Sequence, residues 1–152
     1  MNKRVLPNKL MLDGVSELVA EGKEVWIPTK GISMLPFIVG GRDSVLLVLA
    51  QSLKRGDIAL ADLDGSGHYV LHRVTGIDNG IVRLKGDGNL DSAESCPQAA
   101  VKARVKEIRS EKGRVRNPSS AGWQRLWRCW TALPRPARRV LLKVFKIIKH
   151  IK

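Results

Sequence analysis

Three residue types that could cooperate in nucleophilic catalysis occur in the middle of this 152-residue chain. Ser33 lies in the segment Gly-Ile-Ser-Met-Leu-Pro, His72 in Leu-His-Arg-Val, and Asp87 and Asp91 in Lys-Gly-Asp-Gly-Asn-Leu-Asp. A serine hydroxyl is a weak nucleophile and needs a base such as a neutral imidazole to accept its proton. A carboxylate can orient that imidazole and stabilise its cation. Ser33, His72 and Asp87 or Asp91 are therefore candidate catalytic residues.

Each of these residues also has a purely structural interpretation. A serine near Gly and Pro is usually a turn residue, and an aspartate beside Gly and Asn usually caps a turn. A single histidine in an alternating strand is usually a surface residue or a satisfied buried one. Residue types and spacing alone leave both interpretations open.

The elements that must position these residues are predicted to be mostly short strands. Residues 8–22 have the apolar spacing of one amphipathic helix. Between residues 24 and 109, β-prone runs alternate with Gly- and Asp-rich turns, and Asp78-Asn79-Gly80 is typical of a hairpin. The predicted strands are 24–28, 44–50, 57–62, 68–75, 80–85 and 100–108. This pattern predicts a small, mainly β domain with coiled or partly closed sheets.

The four motifs GxSMxP, RGDI, HRV and KGDxN occur in the same order as in the type I signal peptidase superfamily. Residues 26–109 resemble most closely its histidine-base branch, found in archaea, spore-forming bacteria and the endoplasmic reticulum. The resemblance implies a coiled-sheet β fold of the signal-peptidase/LexA type. It also implies that Ser33 is the nucleophile, that His72 is the general base and that Asp87 lies close to the active site. A further acid completes the triad in that branch, and either Asp91 or Glu94 could take this role.

One departure from the family pattern and one alternative base bear on the mechanism. Gly31 stands where many signal peptidases have a hydroxyl residue that assists the oxyanion, so the oxyanion hole is expected to use backbone N–H groups such as that of Ser33. The lysine branch uses a buried Lys as its base. Lys54 and Lys85 are weaker candidates than His72, because neither occupies the HRV position.

The charge of the chain is concentrated in its C-terminal part. Residues 1–110 carry 15 Lys or Arg and 13 Asp or Glu, whereas residues 111–152 carry 12 Lys or Arg and one acid. Trp123, Trp127 and Trp130 share one predicted helical face. Residues 137–152 are predicted to form a second amphipathic helix. Its apolar face holds Leu141, Val144, Phe145, Ile148 and Ile151, and its basic face holds Arg139, Lys143, Lys146 and His150.

This tail is predicted to lie on an anionic membrane surface, because Trp prefers the membrane boundary and basic residues are attracted to anionic headgroups. The alternative is an amphipathic tail packed on its own domain or on a partner. Nucleic acid is a less favoured partner, because phosphate contacts would leave the apolar stripe unused. The predicted organisation is an N-terminal helix and lead-in (1–25), a β catalytic domain (26–110), a linker (111–120) and a basic amphipathic tail (121–152).

Together these features predict a serine endopeptidase at the cytoplasmic face of the membrane that cleaves a peptide or protein precursor. No secretory signal or transmembrane segment is recognised in the sequence. No metal or cofactor is expected, and Cys96 and Cys129 are expected to be reduced thiols. The alternatives are a repressor-like module that cleaves itself and a regulatory or membrane-binding module without catalytic activity.

Overall fold

The computed structural model describes residues 8–151, so the lead-in before Asn8 and the terminal Lys152 lie outside the described residues. The fold is one antiparallel sheet with a helix before it and two helices after it. The helices are α1 (Asn8–Ala20), α2 (Ala121–Ala132) and α3 (Arg135–Ile151), with a short 3-10 helix at Gln98–Ala100. The strands are β1 (Val25–Pro28), β2 (Ser44–Val48), β3 (Ile58–Asp62), β4 (Tyr69–Asp78), β5 (Ile81–Lys85), β6 (Glu94–Pro97), β7 (Val101–Arg109) and β8 (Val115–Arg116).

The strand order in the sheet is β1-β2-β7-β3-β4-β5-β6, and β8 pairs with β7. The prediction of a mainly β domain with terminal helices is confirmed. The hairpin at Asp78-Asn79-Gly80 is also present, because Asp78 pairs with Ile81 and both Asn79 and Gly80 have positive φ. Two strands were not predicted. β6 carries Pro97 and few β-branched residues, and β8 is only two residues long.

The sheet is packed with apolar side chains on both faces. On one face, α1 buries Leu12, Val15 and Val19 in a cluster with the strand residues Ile58 and Leu60. A second cluster contains Val74, Val82 and Leu84 from the hairpin strands together with Cys96. Burial of these side chains fixes the register of the central strands, since a shift by one residue would exchange the two faces.

The segment 111–120, expected to be a linker, is attached to the sheet. β8 pairs with the end of β7, and Arg116 donates to the Asp43 carboxylate at 3.0 Å and to the Phe37 carbonyl at 3.4 Å. This polar segment contacts the body through one ion pair and one backbone carbonyl, both made by Arg116. It therefore carries the chain across the body to α2.

The two tail helices differ in how they meet the body. Trp127 and Trp130 of α2 are only 3% and 6% exposed, so this helix is packed on its own domain, as the alternative interpretation of the tail proposed. Trp130 of α2 and Leu142 of α3 form a cluster with Leu35 and Leu90. The indole Nε1–H of Trp130 also donates to the Asp87 carbonyl at 2.9 Å, which satisfies the buried polar atom.

Candidate active site

Ser33 lies on the loop between β1 and β2, and the loop is closed at its neck by hydrogen bonds. The Thr29 backbone N–H and hydroxyl both donate to the Asp43 carbonyl, at 3.1 and 2.7 Å. Inside the loop, the backbone of Gly40 lies directly against that of Gly31, where a Cβ on Gly40 would collide. These contacts hold both ends of the loop together, so the backbone around Ser33 is fixed at its two ends.

The KGDGN segment, residues 85–89 at the end of β5, packs against the backbone of Ser33. The Gly88 N–H donates to the Ser33 carbonyl at 2.8 Å. A Cβ on Gly86 would collide with the same carbonyl, and one on Gly88 would lie 2.9 Å from the Ile32 carbonyl. Glycine is therefore required at both positions to let the two backbones approach.

His72 is paired with Glu94, and this pair is the strongest feature of the site. The Nδ1 atom of His72 lies 2.6 Å from Oε1 of Glu94. His72 is buried, with 6% of the residue exposed, and the Glu94 side chain is 24% exposed. An ionised carboxylate can only accept, so Nδ1 carries the proton in this contact and Nε2 is left unprotonated in the neutral ring.

Strand register brings Glu94 to His72 across the intervening β5. Glu94 of β6 pairs with Leu84 of β5, which pairs with Val74 of β4. Residues two apart on a strand point to the same face, so His72 shares the face of Val74 and Glu94. The paired part of β5 ends at Lys85, which leaves His72 and Glu94 able to meet beyond the strand end.

Asp87 is buried behind the loop of residues 29–43 that carries Ser33, called the nucleophile loop after the role expected of Ser33, and it forms no hydrogen bond with His72. Its carboxylate accepts from Arg73 Nη2 at 2.7 Å and from Nε at 3.3 Å, and the Arg73 guanidinium also donates to the Gly56 carbonyl. Burial raises the pKa of the Asp87 carboxyl, and the charge and hydrogen bonds of Arg73 act against that rise. Arg73 further stacks on the rings of Phe37 and Trp127, at 5.3 and 5.2 Å.

Asp91 lies on the surface, away from the histidine. It accepts from Arg139 Nη2 at 2.8 and 3.0 Å, and Arg135 Nη1 lies 3.7 Å away. Asp91 therefore attaches the first turns of α3 to the body. Of the three acids considered for the third catalytic position, Asp87, Asp91 and Glu94, only Glu94 forms a hydrogen bond with His72 among the described residues.

Ser33 and His72 line the same cleft, which has a volume of about 290 Å³. Apolar side chains of α1, β1 and the nucleophile loop form its walls, among them Met11, Leu12, Ile27, Met34 and Ile38. Among the described residues, no hydrogen bond joins Ser33 to His72, and the Ser33 backbone N–H has no acceptor. Contacts between nucleophile and base are often long in unliganded sites and tighten when substrate binds.

Nothing in the described part of the chain groups three or more His, Cys, Asp or Glu side chains as a metal site would require. Lys54 is exposed, and Lys85 lines a separate cavity beside α2 and α3.

The apolar face of α3 is largely uncovered. Val140 is 62% exposed, Ile147 60%, Ile148 47% and Val144 44%. Leu142 is the buried contact of this helix with the body, and the side chains of His150 and Ile151 lie outside the described residues. The described helices include none with the length and hydropathy needed to cross a bilayer.

In comparisons with known proteins, neither a protein-family model nor a curated protein matches this chain.

Proposed function

We propose that this protein is a serine endopeptidase of the signal peptidase-like superfamily, with Ser33 as nucleophile, His72 as general base and Glu94 as the acid that orients His72. The observation that carries this proposal is the His72–Glu94 contact of 2.6 Å at a histidine that shares a cleft with Ser33. The order of the four sequence motifs supports the family assignment. Asp87 has a supporting role through Arg73 and the backbone under Ser33.

In the proposed reaction, the Ser33 hydroxyl attacks a peptide carbonyl while His72 Nε2 takes its proton. Glu94 stabilises the resulting imidazolium and keeps its ring oriented. The backbone N–H of Ser33, which has no acceptor among the described residues, would donate to the oxyanion, as expected where Gly31 offers no side-chain donor. His72 then gives the proton to the leaving amine, and water completes the cycle by the same route in reverse.

An extended polypeptide is the substrate form that fits this cleft. Among the described strands, β1 pairs only with β2, and its last residues Ile27 and Pro28 line the cleft before the chain reaches Ser33. A peptide added along this edge would present its carbonyls to the serine, and main-chain hydrogen bonds would bind it without a large side-chain requirement. The apolar walls favour small or medium apolar side chains.

The test is cleavage of a mixed library of extended peptides, followed by mass spectrometry. Ser33→Ala should lower cleavage by roughly 10⁴-fold or more, as loss of a serine nucleophile does. Ser92→Ala, which removes another exposed serine from the same part of the molecule, should leave it unchanged. Cleavage that persists in Ser33→Ala, or a wild-type protein that cuts nothing, contradicts the proposal. The second result would favour the non-catalytic module.

The proposal also includes attachment to an anionic membrane face through α3. It is supported by the exposed apolar side chains of this helix and by the basic residues Arg139, Lys143 and Lys146 beside them. Trp127 and Trp130 take no part, because the body buries them.

A further inference from the structure

A second cavity, of about 310 Å³, lies between the body and the two tail helices. Its walls include three cationic side chains, Arg55 from the turn before β3, Lys85 from the end of β5 and Arg138 from the first turns of α3. It is separate from the Ser33 cleft, with which it shares no lining residue.

The positive charge of this cavity is not neutralised by the protein. In the described part of the chain, none of the three cations forms a salt bridge. The single acid in the wall is Asp87, and both of its carboxylate oxygens accept from Arg73. Asp91, nearby on the surface, forms salt bridges with Arg135 and Arg139 but not with Arg138.

A buried donor in the same wall lacks a partner. The Nε atom of Arg138 is inaccessible to solvent and makes no hydrogen bond. A buried donor without an acceptor destabilises the fold, and more so when the group is charged. An anion in the cavity would balance the three positive charges of its wall.

We infer that this cavity binds a phosphate group, and that the phosphate belongs to the headgroup of an anionic lipid. Guanidinium and ammonium groups are the usual partners of phosphate oxygens. The choice of a lipid rests on the membrane attachment proposed above, because α3 carries both Arg138 in the cavity and the exposed apolar residues Val140, Val144 and Ile147.

Two double variants with equal loss of charge test the inference. Lys85→Gln/Arg138→Gln removes two cavity cations, and Lys112→Gln/Arg114→Gln removes two exposed cations from the turn before β8. The first probe is inorganic phosphate, compared with chloride at equal ionic strength in thermal unfolding. Phosphate should raise the melting temperature of the wild type and of the turn variant but not of the cavity variant.

The second probe is a vesicle of phosphatidylglycerol in phosphatidylcholine. The cavity variant should bind it roughly tenfold more weakly than the turn variant, because general attraction to the surface falls equally in both. If the cavity variant binds vesicles more weakly than the turn variant, the bound phosphate belongs to the lipid. A response to inorganic phosphate without a vesicle difference assigns the site to a free phosphate compound. If both probes treat the two variants alike, the inference is overturned.

Folding of the cavity variant is checked by its unfolding in chloride. Thr131→Glu, an exposed substitution in the same wall, provides a second route, because it adds a negative charge without removing a cation. It should weaken both responses as the double variant does. Neither probe depends on Ser33, so failure here is distinguishable from failure of the peptidase proposal.

Discussion

At the scale of single residues, the three acids near the candidate site have different partners and therefore different roles. Glu94 holds His72, Asp87 balances Arg73 in the interior, and Asp91 binds two arginines of α3 at the surface. Only the first of these contacts is a hydrogen bond to the imidazole, so only Glu94 can fix its tautomer directly. The distinction follows from contacts that residue type and spacing do not reveal.

Glu94→Gln should lower the peptidase rate by roughly 10²- to 10⁴-fold while preserving the fold. The amide keeps the shape of the side chain but loses the negative charge that stabilises the imidazolium. Asp91→Asn is the matched control and should leave the rate within about twofold, because Asp91 contacts only the tail. The two rates are compared by kcat/KM on one cleaved library peptide. Equal losses in the two variants would remove Glu94 from the mechanism.

The sequence identified two of the proposed site residues, Ser33 and His72, more readily than the acid that contacts His72. The Ser33 and His72 motifs could be identified because each is a compact string, and the structure places both on one cleft. Glu94 could only be left open beside Asp91, since choosing it requires knowing that residues 94–97 form a strand. That strand contains Ser, Cys and Pro, which give no clear β pattern, and its pairing with β5 decides the matter.

At the scale of elements, the nucleophile loop depends on two backbone approaches that only glycine allows. Gly86→Ala should lower both stability and cleavage, because the added methyl group collides with the Ser33 carbonyl and must displace the loop. Overpacking of this kind costs about 1–3 kcal/mol. Gly122→Ala, whose Cβ would meet no atom within 4 Å, should keep full activity and gain a few tenths of a kcal/mol from helix propensity.

Denaturant unfolding and peptide cleavage measure the two effects separately. A Gly86→Ala protein with wild-type cleavage would show that the KGDGN segment does not position Ser33.

Asp43 joins the end of the nucleophile loop to β8 and makes the stability of this region dependent on pH. Burial alone would raise its pKa, but hydrogen bonds from Arg42, the Val39 N–H and Arg116 outweigh burial and lower the pKa of the carboxyl. A lowered folded-state pKa means that the stabilisation is complete above the ordinary carboxyl value of about 4. It is lost as the pH falls through the folded-state value.

Asp43→Asn should therefore lower the free energy of unfolding at pH 7 by about 3 kcal/mol, since it leaves Arg116 without its buried partner. The loss should shrink as the pH is lowered from 5 towards 2, where the wild type loses the same interaction. Urea unfolding of both proteins across this range measures the difference. A constant difference between the two curves would show that Asp43 is not the group that titrates.

At the scale of the whole molecule, the two tail helices differ: α2 packs into the body, whereas α3 exposes much of its surface. α2 buries its tryptophans behind Arg73 and Asp87, so removal of the tail would expose the interior next to the nucleophile loop. The sequence pattern identified both helices and the tryptophan face of α2, but not Leu142, through which α3 contacts the body. It could not show that the tryptophan face is used internally, because an indole fits a protein interior and a membrane boundary equally well.

The exposed face of α3 should account for the apolar part of membrane binding. Val144→Asn/Ile147→Asn replaces two side chains that are 44% and 60% exposed, so the fold should be retained. Leu10→Asn/Leu126→Asn is the matched control, because it replaces two apolar residues that are 61% and 52% exposed on the other helices. Burial of one such side chain is worth about 1.5–3 kcal/mol when complete. Partial insertion of two should therefore change vesicle affinity by roughly 10- to 100-fold.

Sedimentation with phosphatidylglycerol-containing vesicles compares the two doubles, and the α3 variant alone should remain in the supernatant. The prediction separates the helix face from the basic charge of the tail, because neither double alters a charged residue. If both doubles sediment like the wild type, charge alone holds the protein to the surface and α3 stays outside the acyl region. If both are released equally, the apolar contact is not specific to α3, and the attachment proposed through this helix is wrong.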